Sequence, residues 1–522
     1  MGDPIPTACN IQRPSHTPAW GELGLPDNTP SPEPASPGEL SARKITDRPG
    51  AAAHDALVIF GVTGDLLAAR TFRALYKLEG AGRLVCPVIG IAPEDWSHYR
   101  LIAAVRSALT AAGDNVEPEV LDRLARRMTY LRGDFTNPAT YRELATLLGN
   151  ACAPLFYLAT APTLFATVIA RLRQAELIRG ASVLIEKSFG RDATAARSID
   201  AELRRELGPD QLLRVDRFLN GQSVLDLACL RFDHAMFGPV WNSDHIAAVQ
   251  ITMAENSRVE SGDAHYDSVG ALRDMVQTRL LQVLAFLAME EPADRGPHEL
   301  WSAMAEAARA TADVDSAHMV AGQYLGYRKV LGVRENSTTE TFAALRLQVD
   351  TPRWSGVPWL VRAGKALFAH TTEVRVIFRR PPPLAFLRPI PHVEANQLIM
   401  RLDPDPGLRL QLASRRATDA TARPVHVDLP FAAEPGEPAD PDERMLRDAL
   451  SGKTWLFPRA ELVEESWRIL QPVFDSPPAP TLYPKGSWGP PGTARLAHGH
   501  HSWQRPWLPS PSYSGRAFPT PT

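Results

Sequence analysis

The stretch that most constrains this chain is Leu57 to Tyr76, LVIFGVTGDLLAARTFRALY. Leu57 to Phe60 is a short apolar run with the length and composition of a fully buried strand. Gly61 and Gly64 punctuate a tight turn, Asp65 is placed to cap the adjoining helix, and Leu67, Ala74, Leu75 and Leu78 recur at helical spacing. Strand, glycine turn and helix is the arrangement that cradles a dinucleotide pyrophosphate. The glycines let phosphates reach the backbone, and the helix start offers free N–H groups and a positive dipole end. A turn that carries glycine for shape alone is the other reading of the same residues.

The 522 residues are enough for two or three domains. Residues 1–53 hold ten of the 47 prolines and few large apolar groups, so they are expected to form a disordered leader. From 54 to 216 strand-like runs alternate with amphipathic helices. The strands are expected at Leu57–Phe60, Cys86–Ile91, Met128–Leu131, Leu155–Ala159, Val183–Glu186 and Leu212–Val215, with helices such as Arg100–Ala112 and Thr194–Glu206 between them. That rhythm predicts a Rossmann-like, doubly wound α/β domain whose ligand sits at the carboxyl ends of the strands. After Asp216 one long helix, Ser268 to Met289, precedes grouped strands at Thr339–Val349, Trp359–Arg362, Val374–Phe378, Gln397–Arg401 and Leu408–Leu412. Grouped strands predict an α+β domain over 217–490, with a large, mostly antiparallel sheet and flanking helices. Residues 491–522, rich in Pro, Gly and Ser, are expected to trail over the surface.

Fifty-six basic residues against 59 acidic ones leave no footprint for a nucleic acid or a membrane surface. No apolar run reaches the roughly 18 residues of a membrane span, and the first 50 residues lack a signal-peptide core. Cys9, Cys86, Cys152 and Cys229 lie too far apart to pair as metal ligands, and a disulfide framework is not expected. His498–His501, HGHH, reads as a solvated cluster, so no metal is expected. The expectation is a cytoplasmic protein.

Several stretches, in order, carry a resemblance: GVTGDLLAARTFRALY (61–76), FYLATAP (156–162), IEKSFGRD (185–192), LRVDRFLNGQ (213–222), LRFDHAMFGPVWN (230–242), YDSVGALRDMVQTRLLQVLAFLAMEEP (266–292), RAGKAL (362–367) and YPKGSWGP (483–490). Together they resemble the signature blocks of the glucose-6-phosphate dehydrogenase family over about Ala56 to Pro490. The resemblance implies hydride transfer from C1 of glucose 6-phosphate to NADP, a dimer or higher homo-oligomer, and a set of site residues. The pyrophosphate turn would be Gly61, Val62, Thr63, Gly64, Asp65 and Leu66. Tyr157 matches a cofactor-contacting tyrosine, and Lys187 matches the lysine that bridges cofactor and sugar. Asp216 matches the aspartate that orients the catalytic base, while Glu255, Asp274 and Lys365 match sugar-binding positions.

The sequence departs from the family at the reacting centre. The base of the family's Q-N-H block is replaced by Arg279, in Gln277-Thr278-Arg279. The phosphate-holding histidine and lysine are replaced by Arg217 and Gly221, and the proline of E-K-P-F-G by Ser188. Arginine cannot be deprotonated in a protein, so Arg279 cannot act as a general base, a loss worth about 10²- to 10⁴-fold in rate. Arg217 is expected to hold phosphate in part, and Asp216 is expected to pair with Arg279, the alternative being that Arg279 turns to solvent and Asp216 pairs with Lys187 or Arg217. On the cofactor side Pro93, Glu94 and Asp95 stand where the family has an arginine for the 2′-phosphate, so NAD is a candidate beside NADP. Two functions stay open: a divergent dehydrogenase with impaired catalysis, and a non-catalytic assembly or regulatory partner of an active homologue.

Overall fold

The computed structural model describes residues 54–186, 193–208, 210–218, 221–260, 266–292, 297–380, 394–415, 422–431, 440–454 and 457–508. The leader, Lys187, Ser188 and residues 509–522 lie outside them. Among the described residues the strands form two sheets.

The first contains β1 (Ala56–Phe60), β2 (Val88–Ala92), β3 (Met128–Arg132), β4 (Pro154–Leu158), β5 (Ser182–Glu186) and β6 (Leu212–Val215), in the order β3-β2-β1-β4-β5-β6. Every neighbouring pair is parallel. β1 is buried at all five positions because both of its faces are covered. Leu57 and Ile59 face one apolar layer with Leu155 and Tyr157, while Val58 and Phe60 face the other with Phe156 and Leu158. The strand order reverses between β1 and β4, so a crevice opens at their carboxyl ends, where the first helix α1 (Asp65–Gly80) begins. All six expected strands are present, with ends displaced by no more than two residues.

The second sheet contains β7 (Ile246–Ala254), β8 (Met319–Tyr324), β9 (Phe342–Gln348), β10 (Pro358–Gly364), β11 (Thr371–Phe378), β12 (Gln397–Asp403), β13 (Gly407–Arg415), β14 (Ala422–Pro430) and β15 (Thr481–Tyr483). Their order is β14-β13-β12-β11-β7-β10-β9-β8-β15. Only the β7–β10 and β8–β15 pairs are parallel. One face packs its alternating apolar residues, such as Val249, Ile251, Trp359, Val361, Val374 and Val376, on the helical run that comes after β7. That run ends in Leu281–Ala288, buried at every position, as befits a helix apolar on all sides. The helix Pro441–Leu450 returns to the first sheet, where Met445, Leu446, Ala449 and Leu450 join the layer of Leu57 and Ile59.

Two expectations are corrected here. The long helix is interrupted: Gly270 has φ +73°, and Leu272–Leu280 is wound as a π-helix. Residues 491–508 do not trail. Pro491–Ala497 forms a 3₁₀ turn with Leu496 and Ala497 buried, and the chain then crosses the polar face of the second sheet. Gln250 donates to the Ser502 carbonyl (2.9 Å), Arg362 to that of Gln504 (2.8 Å) and Arg375 to that of Arg505 (2.9 Å). The Arg362 guanidinium lies 4.7 Å from the Trp503 ring centre, and Arg401 and Arg409 lie 4.2 and 4.4 Å from that of Trp507. Low apolar content reads as a free tail, but these arginines keep donors and guanidinium faces beyond their bonds within the sheet, and the tail supplies acceptors and rings for them.

Ending the chain at Gly499 should therefore lower the unfolding midpoint by several degrees. Each buried donor left unsatisfied costs about 1–3 kcal/mol, and roughly 2 °C accompanies each kcal/mol. Thermal denaturation of the truncated protein checks this, and an unchanged midpoint would contradict it.

Candidate active site

The glycine turn is pinched between two strand ends. The Gly61 N–H donates to the Ile91 carbonyl (2.8 Å), and φ is +83°. A Cβ at Gly61 would collide with the Ala159 carbonyl oxygen, so no other residue fits. Val62 is buried behind the turn. Gly64 occupies the cap position of α1 and supplies no side-chain bond, so the cap expected of Asp65 falls one residue earlier and is left open. Asp65 starts the 16-residue helix instead, followed by Leu66. An uncapped helix start beneath a glycine that meets the end of β4 this closely fits a pyrophosphate. When bound, the dinucleotide supplies the hydride acceptor. The Thr63 hydroxyl donates to Glu94 Oε2 (2.7 Å), which draws an acidic side chain to the turn. The nearby Arg132 is tied to Asp95 at 3.2 Å in an exposed pair.

At the edge of the first sheet, Arg217 is already bound. Its Nη1 and Nη2 donate to the two oxygens of Glu186, at the end of β5, at 2.7 and 2.9 Å. Its Nε donates to Asp442 Oδ1 (2.6 Å) on the helix Pro441–Leu450. Burial opposes the arginine's charge, but the Glu186 hydrogen bonds and the charges of Glu186 and Asp442 outweigh it and raise its pKa. Tyr157, fully buried on β4, donates to Glu186 Oε1, and burial followed by the Glu186 charge raises its phenol well above the usual range. Two carboxylates thus hold the guanidinium expected to meet phosphate, because its reach exceeds that of an imidazole and finds acids on two elements. Gly221 offers only backbone, with its N–H given to the Phe218 carbonyl (3.1 Å).

The expected Asp216–Arg279 pair is not made. Asp216 Oδ1 accepts from the Phe218 N–H (3.0 Å), while Arg279 lies 3.5 Å from Asp274 Oδ1 and 3.9 Å from Glu255 Oε1. The cause is the winding. In a π-helix residue i+5 bonds back to i, which puts Arg279 above Asp274, five residues earlier. Glu340 anchors the start of that winding. Its carboxylate accepts from the Leu272 N–H (3.0 Å) and occupies the space that a Cβ of Gly270 would need. Sequence reasoning missed Glu340, whose only signal is a lone acid at the start of an apolar strand.

The sugar-binding candidates do come together. Glu255 follows β7, Lys365 follows β10, and their charged groups meet at 2.6 Å. Burial pushes the Glu255 carboxyl up, but the Lys365 hydrogen bond and charge, with that of Arg279, pull it below its ordinary 4.5. His370 and Asp403, not expected from the sequence, lie along the same edge with Nε2 and Oδ2 2.5 Å apart.

A doubly wound parallel sheet with an open glycine turn, joined to a large mostly antiparallel sheet, defines a dinucleotide-binding oxidoreductase. Residues 58–225 match the family model described as glucose-6-phosphate dehydrogenase, NAD binding domain, and residues 228–507 match its C-terminal domain. The chain belongs to the glucose-6-phosphate dehydrogenase family, and it carries that family's NAD(P)-binding domain. It is 46% identical to glucose-6-phosphate 1-dehydrogenase 1 of Mycobacterium tuberculosis over 88% of this chain and 98% of that protein. It is 34% identical to glucose-6-phosphate 1-dehydrogenase 2 of the same species, over 86% of this chain and 94% of that one. The crystal structure of the Mycobacterium avium enzyme matches with a TM-score of 0.83 at 46% identity, covering 88% of this chain and all of that one. A glucose-6-phosphate dehydrogenase in complex with its substrate matches at 0.81 and 27% identity, over 87% of this chain and all of that one.

Because Glu255 has a depressed pKa, its contribution to stability is present above 4.5 and lost as pH falls through the lower folded value. Lys365→Met should cost about 1.5–3 kcal/mol at neutral pH, and this difference from the parent should shrink as Glu255 protonates. Urea unfolding of both proteins between pH 3 and 7 measures it, and a difference that grew on acidification would be the wrong sign.

Proposed function

We propose that this protein is a glucose-6-phosphate dehydrogenase family member with impaired turnover of glucose 6-phosphate. The observation that carries the proposal is Arg279, which stands at the position resembling the family's base and is held by Asp274 and Glu255. A permanent cation there takes no proton from the C1 hydroxyl. The phosphate side supports the same conclusion. One guanidinium faces two carboxylates, and Gly221 brings no charge, so a phosphate dianion meets a local excess of negative charge. Lys187 and Lys365 are the remaining cations assigned to substrate, Tyr157 is assigned to the cofactor, and Asp216 meets no histidine at position 279. The second reading, a non-catalytic assembly or regulatory partner, is favoured by an intact scaffold around this replaced centre.

The protein is taken to work in the cytoplasm as a homo-oligomer, a dimer or higher, without a nucleic-acid or membrane partner. Exposed Leu412, Val427 and Leu429 on β13 and β14 support self-association. The balanced charge agrees with the lack of a nucleic-acid partner.

Purified full-length protein should oxidise glucose 6-phosphate at less than about 1 per second, below the usual enzyme range. Arg279→His alone should not restore the rate, because the phosphate side stays cancelled and residues acting as a unit are not additive. Ordinary turnover by the unaltered protein, followed by absorbance of the reduced dinucleotide, would refute the proposal. In binding titrations NAD should match or exceed NADP, since Glu94 accepts from a ribose hydroxyl and repels a 2′-phosphate. Glu94→Gln should narrow the difference, and a clear NADP preference in the unaltered protein would count against this role of Glu94.

A further inference from the structure

Four adjacent strands of the second sheet, β12, β11, β7 and β10, bring their ends side by side and place one ionisable residue each on a common edge. Asp403 is the last residue of β12, His370 directly precedes β11, Glu255 directly follows β7, and Lys365 directly follows β10. The register fixes their neighbourhood. Thr371 pairs with Ala254, so one step further along the same ladder brings His370 opposite Glu255. On the other side Thr372 pairs with Asp403. The Leu367 N–H donates to the Glu255 carbonyl (2.9 Å), which holds the Lys365–His370 loop against the end of β7. The result is a row, Asp403, His370, Glu255, Lys365, with Arg279 reaching Glu255 from the π-helix.

Within this row His370 has the form of a base with an orienting acid. Its Nε2 lies 2.5 Å from Asp403 Oδ2, which assigns the Nε2 proton to that bond and leaves Nδ1 as the lone-pair nitrogen. Nδ1 makes no hydrogen bond among the described residues. The imidazole is about half exposed, so a hydroxyl in the cleft has access to it.

We propose that His370 is a proton acceptor of this sugar cleft and that Asp403 is its positioning residue, a dyad on the sheet edge beside a former base site now filled by Arg279. The proposal rests on the assignment of the cleft as the sugar site. Nδ1 takes the proton of the hydroxyl being oxidised. The C–H hydrogen leaves with its two electrons to the nicotinamide dinucleotide, the carbon becomes a carbonyl, and the imidazolium returns its proton to solvent.

The groups facing His370 set its pH dependence. Asp403 from β12 is the largest influence and Glu255 beyond β7 adds to it, against burial, so the imidazole titrates above its ordinary 6.5. Lys365 is paired with Glu255, and Arg279 is shared between Asp274 and Glu255. Only the neutral imidazole accepts a proton, so residual turnover should rise with pH through a midpoint above 6.5.

The test uses the full chain with glucose 6-phosphate and saturating NAD or NADP, at pH 5.5 to 9.5. His370→Gln should lower residual kcat by about 10²-fold or more, abolish the rising limb and leave KM within a few-fold. Asp403→Asn should keep the limb but move it towards lower pH, with a smaller loss of kcat. A readout independent of turnover is the NMR titration of the His370 ring protons, which should give a midpoint above 6.5 in the unaltered protein and a lower one in Asp403→Asn. An unchanged rate and limb in a folded His370→Gln protein overturns the dyad and leaves the impaired-turnover proposal standing. Complete absence of turnover in the unaltered chain also overturns the dyad. Turnover in the ordinary range that collapses in His370→Gln supports the dyad and overturns the impairment instead.

Discussion

The seat of Glu340 against Gly270 is the contact on which the charged cluster of Arg279, Asp274, Glu255 and Lys365 depends. A carboxylate placed where any Cβ would be breaks the helix at a positive φ and caps the segment that restarts at Leu272. That segment winds as a π-helix, and the winding stacks Arg279 on Asp274 rather than sending it towards Asp216. Burial raises the Glu340 carboxyl, so the cap is made by a group that resists ionisation and still accepts from the backbone. The cluster therefore inherits its charge pattern from helix winding, one level below side-chain identity.

Electrostatic pairing then decides which cations are free. Arg217 joins β5 to the helix Pro441–Leu450 through Glu186 and Asp442, and that helix packs on α1 and on the layer behind β1. The same guanidinium that would hold a phosphate is thus a structural tie between the first sheet and a late segment of the chain. Partly buried pairs of this kind are costly to break, because removing one partner strands the other charge. A phosphate would have to displace two carboxylates that are already in place.

The polar face of the second sheet obeys the same rule. A row of arginines and a glutamate across β10, β11, β12 and β13 is satisfied by carbonyls and tryptophans of residues 502–507. Buried polar groups are tolerated only when bonded, so the C-terminal segment completes the sheet rather than decorating it.

The sequence by itself determined the first sheet. β1 and its five partners are short apolar runs between helices, and the pinched Gly61 announces a turn that no other residue could make. It also determined which residue types stand at the positions that resemble the family's site, because those positions are read from local spacing within each block. It could not determine partners. Arg279 pairs with Asp274 because of a winding that leaves no periodicity signal, and Arg217 pairs with Asp442, 225 positions away. His370 and Asp403 meet only because β11 and β12 pair in one register, and the tail folds down only because arginines on four strands await it. Local sequence sets which groups a strand or helix presents. Which of them touch is fixed by long-range registry, and that exists only in the folded chain.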